Sequence, residues 1–291
     1  MPQSKGRKPK PVSRPGRKPN RGQGRYQPGQ LGIPPELIAN MLAGGTPDQV
    51  VEMLPPFLWL HHSAGMPGNL CVPAALTLQQ AYALAGIESV LTPVELIIGH
   101  QVKGPMTRYG GGGGVWDGEN FDGHCVLWLP SSGRWIDATV TQYPEVRASL
   151  PLPVLGRMSS VSFGGTAASR EALAEGRLTP GIHMAVPREE LLLSYTVVDG
   201  DSDAIAAGAH ALTPGGAEQI RRAGINLVSA ALDWWRKPGI VDRVRDAPYP
   251  QVHALLDVIG EAPVHYTGDS DWFFETTIGN RARLDELAAA S

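Results

Sequence analysis

Three residues in this chain, Cys71, His124 and Asp137, stand in an order that nucleophilic catalysis can use. A thiol attacks a carbonyl only as its thiolate, so it needs a base close by. An imidazole is such a base when a carboxylate holds its second nitrogen, fixing the tautomer and stabilising the charged ring. Cys71 follows the Gly68-Asn69-Leu70 turn and opens an apolar stretch that reads as a helix over 71–86. The unpaired N–H groups and the dipole of a helix N-terminus favour an anion there. With the side-chain amide of Asn69, the same N–H groups form a candidate oxyanion site. His124 begins a strand and Asp137 ends the next one, with the turn 130–133 between them. An antiparallel pair joined by a short turn places its outer ends side by side, bringing carboxylate to imidazole.

Other residues compete for these roles. Taken singly, a cysteine in an apolar helix is a packing residue and a histidine on a strand a satisfied polar one. Order and supporting elements single out the trio. Cys125 adjoins His124 on a strand, so its side chain points to the opposite face and reads as core. Asp117 and Asp122 are rivals to Asp137 as orienter, but both precede the histidine in a loop. His61-His62 precede the cysteine helix, where they either line a site or belong to a polar turn. Cys71, His124 and His61 show no recognised zinc spacing, and no metal or cofactor is expected. The five-glycine run 110–114 lacks the Gly-Lys-Ser/Thr ending of a phosphate loop and reads as a lid or a plain linker. Trp128 and Trp135 alternate along the hairpin as core residues, and Trp234-Trp235 are placed to dock the C-terminal helices.

The elements that position these residues are legible from turn residues and periodicity. Helices are expected over 34–43 and 46–60, the second opened by Thr46 and Pro47 and broken by Pro55-Pro56. In the helix over 71–86, Asn69 serves as cap, Pro73 fits only the first turn, and Gly86 closes. Thr77, Gln79 and Gln80 are its distinctly polar residues, so it is buried on most sides. Residues 89–99 are β-branched and apolar enough for a strand, and 104–120 read as a flexible loop. Residues 124–129 and 134–137 read as a hairpin. Residues 145–181 are loop-rich. Strands over 182–186 and 191–198 precede a long amphipathic helix over 213–237 and shorter helices over 251–260 and from 270 to the end. The order defines an α+β fold.

Composition narrows the class of protein. The 291 residues are 42% hydrophobic and 18% charged, enough apolar content for one or two packed domains. No apolar run approaches the ~20 residues of a membrane helix, and the first 30 residues hold no stretch of signal-peptide type. With two cysteines there is no disulfide scaffold, and a soluble, cytoplasmic protein is expected. The net charge is −3, yet residues 1–30 carry nine Lys and Arg and no acid, leaving 16 bases against 28 acids beyond them. A basic, Pro/Gly-rich arm without apolar residues reads as disordered. It is suited to contact with nucleic acid or another polyanion, to solubilising the chain, or to self-contact with the acidic body.

The segment Gly123-His124-Cys-Val-Leu-Trp-Leu-Pro-Ser-Ser-Gly-Arg-Trp-Ile-Asp137-Ala-Thr resembles the second half of a transglutaminase-like (papain-like) cysteine-protease core. The Cys, His, Asp order is similar to that family's, as are the separations of 53 and 13 residues. The likeness covers residues 60–145, and departs from the family where Val72-Pro73 follow Cys71 instead of an aromatic residue. It implies a central helix bearing the cysteine, packed on an antiparallel sheet, with Cys71 as nucleophile, His124 as base and Asp137 as orienter. Three parts are then expected: a basic arm over 1–30, a catalytic core over 31–200, and a helical C-terminal extension over 201–291. The expected activity is acyl transfer through a thioester on a protein or peptide amide, by hydrolysis or to an amine. A non-catalytic binding or accessory protein of the same fold is the alternative.

Overall fold

The computed structural model describes residues 48–62, 70–102, 104–111, 113–149, 152–157, 166–213, 215–266, 271–275 and 280–290. The basic segment 1–30, the helix expected over 34–43, Thr46 and Asn69 lie outside them, as do the side chains of His61 and His62.

In chain order, α1 (Leu54–His62) and α2 (Cys71–Leu84) lead into β1 (Val90–His100), β2 (Met106–Tyr109), β3 (Val115–Asp117) and β4 (Asn120–Asp122). The hairpin follows as β5 (His124–Leu129) and β6 (Arg134–Asp137), then α3 (Pro144–Ala148), β7 (Val154–Arg157), α4 (Ala167–Ala174), β8 (His183–Arg188) and β9 (Leu191–Val197). The remainder is α5 (Ser202–Leu212), α6 (Gly216–Trp235), α7 (Val241–Arg245), α8 (Pro250–Ile259), β10 (Val264–Tyr266), β11 (Trp272–Glu275), β12 (Arg281–Ala282) and α9 (Leu284–Ala290).

The fold is α+β, built on an antiparallel sheet in the order β7-β6-β5-β1-β9-β8, with β2 pairing the C-terminal half of β1. The sheet curls until it nearly closes into a barrel. At the seam the Arg188 guanidinium, at the end of β8, donates to the carbonyls of Leu152 and Pro153 just before β7. Strand alternation decides what fills the barrel. Along β9, Leu191, Leu193, Tyr195 and Val197 are buried while Leu192, Ser194 and Thr196 are only partly covered. The buried set meets Val94, Leu96, Val126, Trp128, Trp135 and Met184 inside the barrel. On β5 all six residues are buried, because its other face is covered by helices.

That cover is α2, backed by α6. Leu127, Leu129 and Ile136 of the hairpin join Ala74, Leu78, Ala81 and Tyr82 of α2 and Ile225, Val228, Ala231 and Trp235 of α6 in one apolar cluster. Burying those side chains is the main favourable contribution to stability here, about 1.5–3 kcal/mol for each large one. Alanines on α2 and Gly224 on α6 let the two helices approach closely. A β-carbon added at Gly224 would lie 2.6 Å from Gln80 Cβ and 3.1 Å from the Thr77 carbonyl oxygen. Directed bonds fix the layers: Trp59 Nε1–H donates to the Ala138 carbonyl at 3.1 Å, and Trp235 Nε1–H to that of Gln49 at 2.9 Å.

Several elements differ from the sequence expectation. Pro55 and Pro56 open a helix rather than break one, because proline's missing N–H costs nothing in a first turn. The residue capping α2 is Leu70, which contributes no side-chain hydrogen bond. The stretch 104–120 is not a plain loop: it holds β2 and β3, with β4 closing a small hairpin against β3. Within 145–181 lie most of α3, β7 and α4. The C-terminal part is not wholly helical, since β10, β11 and β12 form a three-stranded sheet whose Phe274 enters the helical core. Alternating apolar residues over so short a span give no periodicity long enough to separate strand from helix.

Candidate active site

Cys71 is the first residue of α2. The first N–H groups of any helix have no acceptor within it, and Pro73 removes one of them here. The thiol is buried, with 5% of the residue exposed, and packs among Val72, Ala75, Leu76, Leu91, Cys125 and Ile205.

His124 and Asp137 come from the hairpin. Its register pairs Leu127 with Ile136, Trp128 with Trp135 and Leu129 with Arg134. Extending that ladder sets Asp137 opposite Val126, so His124 is its diagonal neighbour on the barrel-facing side. The turn that fixes this register contains the 3-10 segment Pro130–Ser132 and Gly133, whose φ of 59° is the left-handed conformation glycine adopts without strain. His124 Nε2 lies 2.7 Å from Asp137 Oδ2, and both residues are completely buried.

Other donors complete the carboxylate's surroundings. Tyr195 of β9 donates its hydroxyl to Oδ2 at 3.0 Å, and the Thr139 backbone N–H donates to Oδ1 at 3.0 Å. With Nε2–H donated to Asp137, the second ring nitrogen, Nδ1, remains for other partners. The Tyr143 hydroxyl stands 3.1 Å from it. Cys71 bears on the same ring through its charge and hydrogen-bonding capacity, and Nδ1 is the nitrogen not held by Asp137. Burial alone pushes the His124 ring toward its neutral form. The charge and hydrogen bond of Asp137, followed by those of Cys71, outweigh it and raise the pKa to about 10. A histidine so placed favours a thiolate–imidazolium pair, the form in which sulfur attacks carbonyl carbon.

The glycine run meets the site at one end. Gly110 has a φ of 74°, and a β-carbon there would lie 2.7 Å from the His124 backbone nitrogen, so only glycine fits against the start of β5. Asp117 and Asp122 are exposed on β3 and β4, while Asp137 holds the ring. Cys125 is buried on the helix-facing side of β5, in the same apolar cluster as Cys71. Burial, then the nearness of Cys71 and Asp137, pushes its thiol pKa well up, which makes it a poor nucleophile. Trp128 and Trp135 face each other inside the barrel, while Trp235 joins Val252, Leu255 and Ile259 of the C-terminal helices in one apolar cluster, with Trp234 packed against it, and its Nε1–H also donates to the Gln49 carbonyl before α1. Among the described residues, no group of three or more His, Cys, Asp or Glu side chains is arranged to hold a metal ion.

The sequence reading passed over Tyr143, Tyr195 and Thr139. Thr139 sits in the Trp-Ile-Asp-Ala-Thr run and Tyr195 on the barrel-facing alternation of β9, so each carried a local signal. Tyr143 carried none. Comparison with protein-family models, curated proteins and solved structures finds no match.

Proposed function

We propose that this chain is a cysteine-dependent acyl-transfer enzyme in which Cys71 is the nucleophile, His124 the base and Asp137 the orienting carboxylate. The observation that carries the reading is the buried 2.7 Å contact between His124 Nε2 and Asp137 Oδ2, with Cys71 among the groups that act on the same ring. Three side chains with complementary proton-transfer roles converge at a helix N-terminus, where backbone N–H groups can also stabilise an oxyanion.

In the proposed reaction the thiol proton passes to His124 and the sulfur pair bonds to the carbonyl carbon of an amide or ester. Collapse of the tetrahedral adduct breaks the bond to the leaving group, which takes the proton from the imidazolium. Water, or an amine, then attacks the thioester while His124 takes its proton, and sulfur leaves as the thiolate beside the imidazolium. Water gives a peptidase or amidase, and an amine gives an acyltransferase or cross-linker. Protein or peptide amides are the proposed substrates, and the resemblance to transglutaminase-like cysteine proteases supports this class.

A second reading, a non-catalytic binding protein of the same fold with the 1–30 arm as contact element, is favoured by one feature. His124 and Asp137 are wholly enclosed and Cys71 is 5% exposed. Alkylation separates the two. Under the enzymatic reading iodoacetamide labels Cys71 at pH 6–7 at least tenfold faster than Cys125, and His124→Ala abolishes the difference. Equal, slow labelling of both thiols refutes it.

A further inference from the structure

The hydroxyl of Tyr143 occupies the side of the imidazole that the proposed proton transfer uses. It stands 3.1 Å from His124 Nδ1, its ring meets the imidazole edge-on with centroids 5.5 Å apart, and it lies just before α3, outside the strands that carry His124 and Asp137. Its own position is braced. The Tyr143 ring stacks on Tyr109 at 3.9 Å between centroids, and the Tyr109 hydroxyl donates to Glu145 at 2.9 Å. The Gln142 side chain hydrogen-bonds the Tyr143 hydroxyl, and the charge of Cys71 bears on it.

Resting on the Cys-His-Asp reading, we propose that Tyr143 is a positioning residue that bridges His124 Nδ1 and the Cys71 sulfur and stabilises their charged, proton-transferred state. When the S–H bond breaks and Nδ1–H forms, the electron pair stays on sulfur, and Tyr143 gains a role at both ends. Its oxygen accepts from Nδ1–H, and its O–H is free to donate to the thiolate. Hydrogen bonds to charged partners are roughly twice as strong as neutral ones, so the bridge favours the ion pair over the neutral pair. A phenol suits this task because it accepts and donates at once. Burial first, then the neighbouring Cys71 and Asp137, push its pKa up, so it keeps its proton throughout. The other titratable groups facing this array are Asp137 on β6, Cys125 on β5, Tyr195 on β9, Tyr109 on β2 and Glu145 on α3, with Arg188 of β8 beyond Tyr195.

The test is the pH profile of Cys71 alkylation by iodoacetamide in the full chain, for the unaltered protein, Tyr143→Phe and Tyr109→Phe. Tyr143→Phe keeps the stacked ring and removes only the hydroxyl. Its midpoint should move up by about one pH unit, a roughly tenfold loss of labelling rate below the midpoint. Tyr109→Phe should leave the midpoint in place. A Tyr143→Phe midpoint identical to a depressed unaltered one overturns the bridge while leaving the Cys-His-Asp reading intact. An unaltered midpoint at the ordinary thiol value overturns both. Should Tyr143→Phe not fold, NMR of the unaltered chain decides. A slowly exchanging Tyr143 hydroxyl proton with an Overhauser contact to the His124 ring supports the bridge, and a hydroxyl exchanging as in free tyrosine refutes it.

Discussion

Replacing Asp137 by Asn probes the site and the barrel in one step. The carboxylate accepts from His124 Nε2–H, the Tyr195 hydroxyl and the Thr139 N–H, all at 2.7–3.0 Å, and has no exposed surface. An amide of the same shape keeps one accepting oxygen but turns an NH2 donor toward a neighbour that is also a donor. Breaking a buried, hydrogen-bonded charge pair costs about 3–5 kcal/mol, and the retained oxygen argues for the lower end. At roughly 2–4 °C per kcal/mol for a chain of this size, the melting temperature should fall by about 10 °C, with the chain still folded. The ring loses the main cause of its raised pKa while its burial persists, so it should titrate below its ordinary 6.5 instead of near 10. Cys71 then loses the charged imidazole that takes its proton, so labelling at pH 6 should fall by about two orders of magnitude. Thermal unfolding, an NMR titration of His124 and iodoacetamide kinetics read these three effects. An unchanged melting temperature together with a ring still titrating near 10 would show that the charge of Asp137 does not hold the imidazole.

Two further outcomes follow from the packing and the titrations. Gly224→Ala, which in an exposed helix would stabilise by about 1 kcal/mol, should instead destabilise by roughly 1–3 kcal/mol in chemical denaturation, because the added methyl meets Gln80 Cβ and the α2 backbone; a gain in stability would mean that α2 and α6 can separate at little cost. In Cys71→Ser, where no thiol titrates beside the ring, Asp137 still holds the His124 pKa above its unfolded value. The folded state then binds the extra proton, so the stability this confers is present in full below pH 6.5 and is lost as pH rises through the raised value. Denaturation between pH 6 and 9 should show falling stability, and a flat or rising profile would refute the sign.

Much of the local architecture is legible in the sequence because its signals are short-range. The alternation of Leu191, Leu193, Tyr195 and Val197, the Pro130–Gly133 turn between two apolar runs, and Pro73 inside a long alanine-rich stretch each act over a few residues and survive in the fold. The contact of His124 with Asp137 belongs to this class, since one turn and one register set it. What tertiary structure alone decided lies at greater separation. Tyr195 reaches Asp137 across 58 residues because the sheet curls back on itself. Tyr143 reaches the imidazole through a short segment after the hairpin, with no periodic pattern to announce it. Cys71 meets the ring because α2 is pressed onto β5 by α6, a layer whose apolar face is read easily but whose docking partner is not. Periodicity states which side of an element seeks cover; only closure of the barrel and packing of the helices determine which side chains meet there.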